Sequence, residues 1–156
     1  MIADRFPNTS NPMAKARTPT IFTSPQDAAV AFYQAFEAKD IDAMMATWAE
    51  DEEIVCVHPG GPRLVGYDAV RIGWEHLFAG DTKLSFRLDE IVVLETVGMA
   101  LQSAVEQVTV GDDPKARGSA IATNVFLRTP SGWRLAVHHA SAAPAVVSAT
   151  PASPLH

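Results

Sequence analysis

The chain has 156 residues, a formal net charge of −6 at pH 7 and a pI near 5.2, with 47% hydrophobic and 19% charged residues. That length builds one domain with a real core, and the apolar runs are far shorter than a membrane span requires, so a soluble, cytoplasmic globular protein is expected. The twelve basic residues are scattered, which argues against nucleic acid as a partner, and the lone Cys56 excludes an intramolecular disulfide framework and a CxxC metal site.

Residues 1–20 hold Pro, Asn, Thr and Lys but no apolar stretch of the kind a secretory signal needs, and are expected to form a flexible tail. Ser24-Pro25-Gln26-Asp27 has the form of a helix start, with Ser as cap, Pro at the first helical position and an acid two residues on. Ala29, Phe32, Tyr33 and Phe36 then repeat at the spacing of one helical face. Asp40 is placed to cap a second helix carrying Ile41, Met44, Met45 and Trp48, so a helical hairpin turning at Lys39-Asp40 is expected. The acidic run 50–53 reads as a solvated turn.

Ile54 to His58 reads as a short strand, ended by Pro59-Gly60-Gly61-Pro62, which continues neither strand nor helix. Cys56, inside that strand with no basic neighbour in sequence, is expected to be a packed, unreactive thiol. A third helix is expected from Tyr67 to Ala79, with Val70, Trp74, Leu77 and Phe78 on one face and Gly80 at its end. Strands are expected over about 83–96, 99–110, 116–128 and 133–141, an antiparallel meander. The segment 145–156 shows no periodicity with which to bury a face and is expected to be a disordered tail, leaving a domain over 21–144.

The last two strands form the most clearly marked feature, a hairpin turning through Thr129-Pro130-Ser131-Gly132. Strict alternation puts Trp133, Leu135, Val137 and His139 on one face and Arg134, Ala136, His138 and Ala140 on the other. His139 would then close an apolar row at the rim of a pocket, while His138 would lie among small residues on a solvated or subunit-facing side.

The order helix, helix, strand, helix and four antiparallel strands, with His58-Pro59 and Gly66 opening the third helix, resembles the nuclear transport factor 2-like superfamily, also called SnoaL-like or cystatin-like. Trp133, His139, Ser141 and Pro144 resemble the closing strand of the association domain of calcium/calmodulin-dependent kinases. The resemblance implies an α+β fold in which three helices pack in the concave face of a strongly bent antiparallel sheet, a cone-shaped α+β barrel. It also implies a conical pocket and a homodimer formed through the outer sheet face, for which Ala100, Gln102 and Ala104, or their alternates, are candidates.

Ketosteroid isomerase, in the same superfamily, uses an Asp base with a Tyr and a protonated Asp as hydrogen-bond donors. The resemblance sets His58 at the position of that base and Asn124 at that of the protonated Asp, while the Tyr position falls on Phe32, with Tyr33 rotated by about 100° around the helix. A His is a competent base near neutral pH, and an Asn donates a neutral hydrogen bond. The expected site is therefore His58 and Asn124 as catalytic groups, with His139, Trp74, Phe86, Phe126, Tyr33 and Phe32 as pocket residues.

No His pair has metal-ligand spacing and no phosphate loop or nucleophile elbow is present in the sequence, so neither metal nor cofactor is expected. Two functions remain open. One is a pocket for a small, largely apolar organic molecule, with isomerase, cyclase or dehydratase chemistry at His58. The other is a non-catalytic ligand-binding or oligomerisation module.

Overall fold

A computed structural model describes residues 20–144, so the expected tails lie, apart from Thr20, outside the described residues. Helix α1 (Pro25–Ala38) begins as its sequence dictates: the Asp27 N–H donates to Ser24 Oγ at 3.1 Å. It ends at Lys39, whose left-handed backbone (φ 52°) turns the chain, and Asp40 Oδ1 accepts the Ala43 N–H at 3.0 Å to cap α2 (Ile41–Thr47). Strand β1 (Val55–Val57) is followed by β2 (Arg63–Val65), α3 (Tyr67–Phe78), β3 (Leu84–Glu95), β4 (Met99–Val110), β5 (Arg117–Thr129) and β6 (Gly132–Ala142).

The six strands form one curved, open sheet in the order β2-β1-β6-β5-β4-β3. The fold is the expected α+β arrangement of three helices on a bent sheet, with two differences in detail. The Pro59–Pro62 turn folds the chain back, so that Arg63 pairs with Val57 and a strand forms where none is expected. Three residues are too few for alternation to show in a sequence. In addition, β1 joins β6 in parallel, with Cys56 opposite His138. Among the described residues that is the one parallel pairing between strands in an otherwise antiparallel sheet, made possible because α3 and the meander separate β1 from β6 along the chain.

Helices and sheet share one core. Ala29, Phe32, Phe36, Met44, Trp48, Val70 and Trp74 from the helices meet Ala100, Phe126, Trp133 and Leu135 from the sheet. Phe32 is its centre, fully buried and in edge or tilted contact with Tyr33, Phe36, Trp48, Trp74 and His138.

The closing hairpin departs from strict alternation. Its register runs Thr129 to Gly132, Arg128 to Trp133, Leu127 to Arg134 and Phe126 to Leu135, but then Val125 to Val137 and Asn124 to His138. One step on β5 matches two on β6, leaving Ala136 as a bulge, which reverses the facing of every later β6 side chain. His138 and Ala140 therefore turn inward and are buried, whereas His139 is exposed on the outer face. The assignment of His139 to the pocket rim, and of His138 to the outside, is corrected by this bulge. Of the two β4 rows that are candidates for the outer face, the structure puts the alternates there: Ala100, Gln102, Ala104 and Glu106 are buried on the inner face, and Leu101, Ser103, Val105 and Gln107 face out.

The hairpin depends on Gly132, whose φ of +93° disfavours a side chain and where a Cβ would come within 2.7 Å of Phe22 O. Gly132→Ala should cost about 2 kcal/mol or more from the left-handed strain and the clash together. The corresponding fall in melting temperature is about 4–8 °C. Thermal unfolding followed by circular dichroism checks this, and an unchanged melting temperature would contradict it.

Candidate functional site

His58 follows the last residue of β1, where Pro59 stops the strand, so its backbone is anchored while its ring leans on the helical layer. The ring meets Trp74 edge to face at 4.6 Å, lies 5.8 Å from the His138 ring and 6.2 Å from that of Phe36, and its Nε2 sits 3.6 Å from Cys56 Sγ. Burial pushes the His58 imidazole down from the ordinary 6.5 to about 4 and the Cys56 thiol up to about 12. At pH 7 both are neutral: an unprotonated imidazole beside an inert thiol.

Behind His138 runs a chain of side-chain hydrogen bonds with one consistent donor direction. His138 Nδ1 lies 2.6 Å from Asn124 Oδ1, an acceptor, so Nδ1 carries the proton and Nε2 is left unprotonated. Asn124 Nδ2 donates to Tyr33 Oη at 3.1 Å and to Gln102 Oε1 at 3.2 Å, and Tyr33 Oη donates to Glu106 Oε1 at 2.8 Å. Burial, followed by the nearby His58 and His139, pushes His138 down to about 3. Desolvation raises the Glu106 carboxyl, opposed by the Tyr33 hydrogen bond, and desolvation together with the Glu106 charge raises the Tyr33 phenol.

Three of these groups, His58, His138 and Glu106, border a cavity of about 240 Å³ between the end of α1, the end of α3 and the inner sheet face. His58, His138 and Glu106 supply its polar atoms, Phe36, Phe86 and Leu77 much of its apolar wall, and Ala120 and Ala140 part of its floor. A larger, more open groove of about 420 Å³ lies on the other side of Phe86, between α1 and β3, and is lined by the polar Gln26, Tyr33, Gln34, Glu37 and Gln102 together with apolar side chains. The groove holds no histidine, and its one carboxylate, Glu37, accepts the Phe86 N–H at 2.7 Å, whereas the smaller cavity gathers two imidazoles and a carboxyl, and it is the candidate site.

Of the expected site residues, the structure brings His58 and Phe86 to the cavity and sets Tyr33 on the groove, with Phe86 bordering both. Asn124 is fully buried behind the wall with both amide hydrogens engaged, so it positions His138 and Tyr33 and has no donor left for a ligand. Phe32, Trp74 and Phe126 are core residues that border neither hollow. Glu106 and His138 were missed. The sequence signal for Glu106 is its row, Ala100-Gln102-Ala104-Glu106, whose small members leave room for the helices above. Among the described residues no three His, Cys, Asp or Glu side chains converge as metal ligands, and no helix is long and apolar enough to cross a membrane.

Residues 26–145 match the model of the SnoaL-like domain. The chain belongs to the SnoaL-like family. A similar solved structure, from Thiobacillus denitrificans, is named for the calcium/calmodulin-dependent protein kinase type II association domain; it is 35% identical with a TM-score of 0.73, over 80% of this chain and 99% of that one. Another, named a dehydratase of the NTF2-like family from Streptomyces avermitilis, is 35% identical with a TM-score of 0.69, over 76% of this chain and 92% of that one. The F-box protein SKIP8 of Arabidopsis thaliana is 23% identical over 110 residues, which make up 70% of this SnoaL-like chain but only 46% of that protein. The chain thus spans about half the length of that curated relative.

Because His58 and His138 are held below the ordinary imidazole value, the unfolded chain binds protons that the folded one refuses between pH 6.5 and about 4. Their contribution to stability is fully present above pH 6.5 and is lost as the pH falls through that window. Glu106 has the opposite sign: its raised carboxyl favours the fold at low pH and loses that contribution as the pH rises past the ordinary carboxylate value. With two imidazoles against one carboxyl, melting temperature should decline steadily from pH 6.5 to 4, and His58→Gln should make the decline shallower. An NMR titration in which His58 has a midpoint near 6.5 would contradict the burial on which this rests.

Proposed function

We propose that the cavity holds a small, largely apolar organic molecule and that His58 acts on it as general acid/base, in an isomerisation, cyclisation or dehydration. The observation that carries this reading is the composition of the wall: two neutral imidazoles and one carboxyl on an otherwise mostly apolar lining, with no Lys or Arg. A neutral His58 takes a proton from the bound molecule. As imidazolium it returns that proton to another carbon in an isomerisation, or to a departing hydroxyl in a dehydration, so one residue balances both steps. Desolvation shifts its affinity toward proton return. His138, fixed in one tautomer by Asn124, supplies an acceptor nitrogen to the same wall, and Glu106 a polar anchor for the ligand. The likeness to a protein named a dehydratase supports the same class of chemistry.

Mass spectrometry of the native protein should identify what copurifies in the cavity. With that compound or its precursor as substrate, His58→Gln should lower turnover by about 10²- to 10⁴-fold while ligand affinity stays within a few-fold. Turnover unaffected by the substitution would remove His58 from the chemistry and leave a binding module.

A second reading, an assembly module, is supported by the outer sheet face and by the likeness to a kinase association domain. Pairing across the sheet lines up Leu94, Leu101, Val125 and Val137 in one outward row, and Val105 beside Ile121 in another. We propose that this face forms a homodimer burying about 1,600 Å² or more. Light scattering at micromolar protein should give twice the monomer mass, and Leu101→Lys should give the monomer. A native chain that scatters as monomer would overturn the dimer.

A further inference from the structure

Glu106 has an unfinished set of partners. Tyr33 donates to Oε1, but among the described residues Oε2 accepts no hydrogen bond, and each ion pair lies at the surface among other residues. No Lys or Arg borders the cavity, and His58, kept neutral by desolvation, supplies no countercharge. Glu106 is 3% exposed and its Oε2 opens onto the cavity, where little water reaches it; a carboxylate so poorly hydrated is stabilised by a charged partner, which the chain itself does not provide. Against the desolvation that raises the Glu106 carboxyl, the chain sets one group that favours the charged form: Asn124 donates to Tyr33 Oη, which turns the Tyr33 hydrogen onto Glu106.

We propose that the ligand of this cavity is a small organic molecule with a single protonated amine, its ammonium against Glu106 Oε2 and its apolar body against the wall that Phe36 and Phe86 form together. The proposal rests on the reading of the cavity as a ligand site and adds the chemical class of the ligand. The Phe36 and Phe86 rings lie 4.4 Å apart, tilted by 52°, and an ammonium beside them gains from their π faces as well as from the carboxylate. The volume of about 240 Å³ falls below the range of about 300–1,000 Å³ that suits drug-sized ligands, which limits the body to roughly one ring. The net charge of −6 draws a cation toward the protein.

Benzylamine and benzyl alcohol have nearly the same shape and differ in charge, so their affinities for the full chain at pH 7.5, measured by calorimetry or ligand-observed NMR, test the proposal. Benzylamine should bind on the order of tenfold tighter or more. Glu106→Gln keeps the acceptor for Tyr33 and the side-chain shape, and should bring benzylamine to the level of the alcohol, with an unchanged melting curve as the check on folding. An alcohol that binds as well as the amine, or an amine preference that survives Glu106→Gln, overturns the amine class while leaving the ligand site in place. Failure of both probes to bind overturns the ligand-site reading together with it.

Discussion

The bond between His138 and Asn124 is the constraint on which the site depends. Counting back from the Thr129–Gly132 pair without interruption, Asn124 would face Val137, and a fully buried amide oxygen would have no partner. Leaving a buried polar atom unpaired costs about 1–3 kcal/mol. The bulge at Ala136 advances β6 by one residue and brings His138 opposite Asn124, with 2.6 Å between Nδ1 and Oδ1. The same shift turns Ala140 inward. One extra residue thus satisfies the amide, fixes the imidazole tautomer and sets two elements of the cavity wall.

The cavity itself comes from unequal side-chain sizes on facing layers. The helices contribute the rigid, mutually perpendicular rings of Phe32, Phe36 and Trp74, which cannot collapse toward the sheet without breaking their own contacts. Opposite them the inner sheet face carries Ala104, Ala120, Ala122 and Ala140, all buried and too short to reach across. Near the centre of the sheet the gap is closed by Phe126, Trp133 and Leu135. Toward the start of β5 it is not closed, and there His58, Glu106 and His138 find room and lose water without losing access.

Local chemistry made much of the fold legible. The two capping residues Ser24 and Asp40 accept the hydrogen bonds expected of them, the Lys39-Asp40 corner turns the chain, and the Pro59 exit puts His58 at a strand end. What stayed hidden depends on contacts distant in sequence. The three residues of β2 carry no pattern of their own, and the parallel pairing of β1 with β6 appears only once both strands exist. The facing of His138 and His139 turns on a bulge that no turn residue announces. Glu106 was hidden for a different reason. A row of Ala, Gln and Glu has the composition of an outer face, and it is the aromatic bulk of the helices that makes small residues the right ones beneath them.

Alternation along the strands also means that the proposed ligand binding and the proposed assembly would not compete within this fold. On β4, Gln102 and Glu106 point inward to the hydrogen-bond chain, while Leu101, Ser103 and Val105 point outward. On β5, Asn124 points inward between Thr123 and Val125, and on β6 His138 points inward beside the exposed His139. Every strand residue of the buried relay therefore has a neighbour in sequence on the opposite face. A chain built this way can alter its outer surface without touching a group that borders the cavity, and can alter the cavity without changing its outer rows. The backbone of β4 to β6 is what the two faces share, so a change that removes the Ala136 bulge would be felt on both sides at once: it would return His138 to the outside and bring His139 under the helices.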